Sequence, residues 1–144
     1  MSPLIDNRIL SLICEHHIFT LAVTREAQPW CATCFYVYDE QRNLFIFTSE
    51  EGTRHISDAV ETGNFLVAGA IALETKMIGK IRGIQFSGSL HKLKDEELKA
   101  AKKQYLQKFP IARFSALMLW GINPDMMKMT DNRLGFGKKL NWHS

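Results

Sequence analysis

One stretch of the chain gathers side chains that hold anions: Thr48-Ser49-Glu-Glu-Gly52-Thr53-Arg54-His55. Here an apolar β-like run, Leu44 to Thr48, gives way to a helix-forming stretch, Arg54 to Val60. Backbone N–H groups at a helix start attract negative charge, Arg54 can grip an oxyanion through paired donors, and Thr53 can add a hydroxyl. Phosphate binding is the chemistry such a set performs. Glu50 and Glu51 oppose it, and an ordinary capped helix with Arg54 and His55 in solvent accounts for the same residues. Thr48 and Glu51 are spaced as a capping box, which predicts a helix beginning at the strand's end.

Other constellations carry less. Cys31-Ala-Thr-Cys34 has the spacing of a redox pair, but it falls in a β-like segment, where residues three apart point to opposite faces. Both are therefore expected to be core cysteines. With Cys14 the count is three, which argues against a disulfide framework and for a reducing, cytoplasmic setting. His16, His17, His55, His91 and His143 show no tight ligand spacing, so no metal site is expected. Gly135-Phe-Gly-Lys-Lys139 departs from the P-loop pattern, since position 132 is Asn and Lys139 replaces the Ser or Thr. It reads as a solvated basic turn or as a flexible segment reaching an anion. Lys99, Lys102, Lys103 and Lys108 read as the wet face of a helix, and no interleaved aromatic set marks nucleic-acid binding.

Positioning these groups falls to a strand-rich framework. Ile9, Leu10, Leu12 and Ile13 predict a helix within Asp6–His17, capped by Asp6 or Ser2. Ile18–Thr24, Trp30–Tyr38 and Leu44–Thr48 read as three meandering strands, with turns at Arg25–Pro29 and around Asp39–Asn43. Phe65–Leu73 and Ile81–Leu93 add two more, with Gly83 and Gly88 at candidate bulges. Leu98, Ala101, Tyr105 and Phe109 share one face of a helix over Asp95–Phe109, stopped by Pro110. Leu117–Ile122 and Met126–Thr130 flank Asn123-Pro124 as a closing strand or strands. Strands grouped as meanders with inserted helices predict a mainly β fold, an antiparallel barrel, in one domain over residues 1–144. The 144 residues are 46% apolar with a net charge of +3, which suits a small core and mildly favours anionic ligands without indicating nucleic acid. No apolar run approaches the length of a membrane helix, and charges near the N-terminus interrupt any export signal.

In this order, with Ile81-Arg-Gly-Ile-Gln-Phe-Ser-Gly-Ser-Leu-His-Lys-Leu93 and the helix ending Lys108-Phe109-Pro110, nearly the whole chain resembles the pyridoxamine 5′-phosphate oxidase-like proteins of the FMN-binding split-barrel type. Arg82–Gly88, Phe109–Arg113 and Thr130–Lys139 further resemble the bacterial group typified by YhbP. The resemblance implies a homodimer of split barrels with FMN in a groove at the subunit interface, its phosphate held by Arg54 and His55 with Thr53. It assigns Thr48 and Ser49 at the third strand's end, Trp30, Cys31, Ala32 and Thr33 along the second strand, and Gln85 as cofactor contacts. His55 stands where a lysine is common, so affinity is expected to vary with pH. Asn141-Trp-His-Ser144 replaces the Arg-rich, Pro-terminated ending of true pyridoxamine phosphate oxidases, so that reaction is not expected. The implied activity is a flavin-dependent oxidoreductase with no catalytic side chain identified. The alternative is a non-catalytic binding module for FMN, haem or another anionic planar ligand.

Overall fold

The computed structural model describes residues 3–144. Seven antiparallel strands run β1 Ile18–Arg25, β2 Gln28–Asp39, β3 Leu44–Thr48, β4 Leu66–Ala72, β5 Arg82–Lys92, β6 Leu119–Asp131 and β7 Lys139–His143. Helices α1 Asn7–Glu15, α2 Arg54–Thr62 and α3 Asp95–Lys108 are inserted between them. The sheet order is β3-β2-β1-β4-β5-β6-β7, and a further β3–β6 pairing closes it into a split β-barrel.

β6 explains the split. Its first half, Leu119–Ile122, pairs with β3, and its second half, Met126–Thr130, pairs with β7. Asn123-Pro124 lies between them, where proline's missing N–H interrupts the ladder. The two segments expected around this dipeptide are thus one strand with two successive partners. Opposite it, β5 bulges between Ser87 and Gly88, where an added Cβ would stand 2.4 Å from the Asn123 carbonyl oxygen.

Phe19, Tyr36, Phe45, Phe47 and Phe86 fill the barrel; Phe45 and Phe86 stack with centroids 4.5 Å apart. α1 closes one end with Ile9, Leu12 and Ile13, and its N-terminus is capped by Asp6, which accepts from the Arg8 N–H at 2.8 Å. Ser2, the other expected cap, lies outside the described residues. β3 is buried on both faces, Phe45 and Phe47 inward and Leu44 and Ile46 beneath α3 in a second cluster with Ala101, Tyr105 and Leu119.

Several local expectations are corrected. The β1–β2 connection is a two-residue turn, Glu26-Ala27, with φ of 49° and 63°, rather than the five residues expected. Those angles suit Asn-Gly, so Glu-Ala gave no turn signature. The Gly-rich basic end continues into β7, whose Trp142 is buried and donates its indole N–H to the Pro3 carbonyl at 2.9 Å. Lys108 is not on the wet face of α3: its ammonium donates to the carbonyls of His16 and Tyr36 at 3.0 and 2.9 Å. No helix among the described residues is long and apolar enough to cross a membrane.

Candidate functional site

β3 ends at Thr48, opposite Leu119 of β6, and Ser49 is pinned on both sides. Its N–H donates to the Met118 carbonyl at 3.1 Å, and its own carbonyl accepts the Trp120 indole N–H at 2.9 Å. The chain then turns, with Thr53 donating to the Glu50 carbonyl from its N–H at 3.2 Å and from its hydroxyl at 2.7 Å. α2 starts only after Thr53. The expected capping box from Thr48 to Glu51 is therefore not formed: Thr48 is still strand, Thr53 occupies the N-cap position, and its hydroxyl is engaged backwards rather than on the helix.

This turn brings the hydroxyls and the imidazole together. Ser49 Oγ lies 2.6 Å from His55 Nε2 and 3.1 Å from Thr53 Oγ1. The first N–H groups of α2 lack intrahelical partners, which adds backbone donors at the same helix end. His55 is half-buried, and that burial pushes its pKa below the ordinary histidine value, because the charged ring loses solvation. Glu51, which seemed to oppose an anion, is paired with Lys92 at 2.6 Å.

Arg54 is held independently. Its guanidinium lies 3.9 Å from the centroid of the Trp30 ring, and its Nε is 3.5 Å from Asp58 Oδ2. Asp58 is 4% exposed, and Oδ2 has no hydrogen-bond partner among the described residues. Arg25 approaches the other oxygen at 3.8 Å while pairing with Glu61 at 2.6 Å. The guanidinium is thus fixed by stacking and charge while roughly half of the side chain remains exposed.

The remaining expected residues separate by strand parity. Trp30 and Ala32 lie on one face of β2, Trp30 against Arg54 and Ala32 against the core. Cys31 and Thr33 lie exposed on the other face. Cys34 is buried, so only one of the two cysteines expected in the core is there. Gln85 is exposed on β5, between Ala70 of β4 and Lys128 of β6, and shares a shallow groove of about 390 Å³ with Cys31, Thr20 and Ala68. The predicted set therefore forms an anion-type cluster of Ser49, Thr53 and His55, with Arg54 of the same helix start held separately against Trp30, and a sheet face bearing Cys31, Thr33 and Gln85.

Asp58 and Trp120 were missed in the sequence. Asp58 had a signal, its i,i+4 spacing from Arg54 on a helix. Trp120 had none, because only the β3–β6 pairing brings it to Ser49.

No protein-family model matches the chain. Among curated proteins it is 42% identical over 130 residues to a UPF0306 protein of Citrobacter koseri, covering 90% of this chain and 88% of that one. It is 40% identical over 130 residues to the UPF0306 protein YhbP of Escherichia coli O157:H7, covering 90% and 87%. Solved structures of similar fold include an FAD-binding protein from Mycobacterium smegmatis, with TM-score 0.66 and 14% identity over 88% of this chain and 95% of that one. HutZ, a haem storage protein from Vibrio cholerae, gives TM-score 0.67 and 15% identity, covering 83% and 89%. A proposed pyridoxamine 5′-phosphate oxidase from Listeria innocua gives TM-score 0.67 and 14% identity, covering 84% and 94%. At such identities the likeness is one of fold.

Proposed function

The chain belongs to the UPF0306 family, which includes YhbP, and from that premise we propose that it is an FMN-binding protein whose cofactor phosphate sits at the β3–α2 turn. The observation that carries this reading is the convergence there of Ser49, Thr53 and His55 at the start of the helix whose first residue, Arg54, is stacked on Trp30. Hydroxyl donors, an imidazole, a guanidinium with free nitrogens and a helix N-terminus are the donor set a phosphate requires. Structures of this fold that bind FAD or store haem support a planar, anionic ligand of this general class.

Bound flavin would carry hydride or electrons, and the protein's part would be placement and exclusion of water. Arg54, His55, Thr53 and Ser49 would hold the phosphate end, with Thr48 beside them. The ring would lie along β2 against the exposed Cys31 and Thr33 and the backbone of Trp30 and Ala32, with Gln85 as an edge contact. We assign the protein an oxidoreductase role in the cytoplasm, a setting its three free thiols support.

A homodimer is part of the proposal. The outer faces of β1, β2 and β4 carry Ile18, Phe35 and Leu66 at 44%, 54% and 67% exposure, around the small Ala68 and Ala70. Such an apolar sheet face is suited to burial against a second copy.

The test is the visible absorption spectrum of purified protein after loading with FMN and removal of the excess. Retained flavin bands that are lost in Arg54→Ala support the site, whereas unchanged retention in that variant overturns it. A second reading, storage of FMN or haem without turnover, draws on the haem-storing relative in fold. Bleaching of bound flavin by NADH or NADPH favours the enzyme, and an inert yellow protein favours storage.

A further inference from the structure

A separate cavity of about 420 Å³ lies on the flank of α2 away from Arg54. Val60, six residues beyond Arg54 and so about 120° round the helix from it, forms one wall. Phe65, on the lead into β4, forms the other exposed apolar wall, and Leu90 of β5 and Trp120 of β6, each only 2% exposed, lie at the floor. Val60 and Phe65, both large and apolar, remain 43% and 42% exposed, and both line this hollow. The volume falls in the range of small-molecule sites, roughly 300–1,000 Å³, and residues of four separate elements line this open hollow.

The polar groups are all at the rim. Trp120 offers the interior no donor, since its indole N–H is already bonded to the Ser49 carbonyl. At the mouth stand Lys92, paired with Glu51, and Lys94, which has no ion-pair partner among the described residues. His91, also at the mouth, is bonded to Glu97 at 2.8 Å. An apolar interior with an uncompensated ammonium at its edge selects a molecule with an apolar body and one negative end.

We propose that this cavity is a binding site for a small amphipathic carboxylate with an aromatic or branched apolar body, its carboxylate meeting Lys94 and Lys92 in exchange for Glu51. The site does not depend on flavin being bound.

The test is a titration of ¹⁵N-labelled protein with 3-phenylpropionate, following the Trp120 indole N–H resonance, assigned by comparison with Trp30→Phe and Trp142→Phe. A saturable shift is expected, abolished in Val60→Asp and weakened about tenfold or more in Lys92→Glu/Lys94→Glu and for the neutral 3-phenylpropionamide. Unperturbed amide resonances elsewhere verify that each variant is folded, and the rim pair serves if Val60→Asp is not. No saturable shift up to about 10 mM overturns the proposal. Equal binding of acid and amide overturns the assigned class. A change of sedimentation mass in Val60→Asp also overturns it, by making the hollow an interface between copies.

Discussion

At the scale of single residues, Arg54 depends on a neighbour that touches no ligand. Asp58 is buried and addresses Arg54 through Nε, leaving the terminal nitrogens of the guanidinium outward. Asp58→Asn removes the charge that fixes that orientation, so affinity for FMN should fall about tenfold while Asp58→Glu recovers part of it. A rise in affinity would mean that Asp58 repels the anion instead. His55 supplies a pH dependence. Burial disfavours the charged form of the free imidazole, and an anion beside it favours that form, so binding takes up a proton. Affinity for sulfate, whose own charge is constant over this range, should rise as pH falls toward 6, by at most about tenfold per unit. His55→Gln should flatten that titration. The same lowered pKa means that the unfolded chain protonates first, so His55 erodes stability as pH falls below the ordinary histidine value. The anion-type residues were legible because they are adjacent in sequence. Lys108 was not: it looked like a fourth surface lysine, and only the approach of two distant carbonyls shows that it is partly enclosed.

At the scale of elements, most strands and helices α1 and α3 were legible from their hydrophobic periods, whereas α2 was expected from a capping box that the structure does not form. β3 read as an unbroken apolar run for a definite reason, since α3 covers the face that the barrel does not. β7 escaped notice because it is five residues long and its single buried anchor, Trp142, follows two lysines. Close approach, too, is invisible in sequence. Gly69 of β4 lies under Phe86 of β5, and an added Cβ would stand 2.2 Å from the ring. Phe86 is stacked between Phe19 and Phe45 and cannot swing aside cheaply. Gly69→Ala should therefore cost about 1–3 kcal/mol in chemical denaturation. Gly52→Ala, with no atom within 4 Å of the new methyl, should stay within about 0.5 kcal/mol. Equal stabilities would refute the packing argument.

At the scale of the whole molecule, the outer sheet face decides the assembly. Ala70 stands near its middle, paired with Thr20 of β1 and Gln85 of β5. Ala70→Glu should convert a dimer to a monomer in sedimentation equilibrium, and a wild-type monomer would dismiss the interface. Cys31, exposed on the same face, reports independently: alkylation should be slow in wild type and fast in the variant. Cys34 should resist in both, since burial pushes its thiol pKa up to about 12. Sequence could show the barrel but not this face, because its alanines look like ordinary strand filling until the parity of β1, β2 and β4 places them together.

β6 also gives the barrel a mechanical asymmetry. Its first half is clamped between β3 and β5, whereas β7 is attached along its second half on one side only. Tension applied at the C-terminus opens β7 pair by pair, as a zipper. The strand behind it carries the load in shear, across many hydrogen bonds at once, so the closed barrel outlasts its final strand under pull.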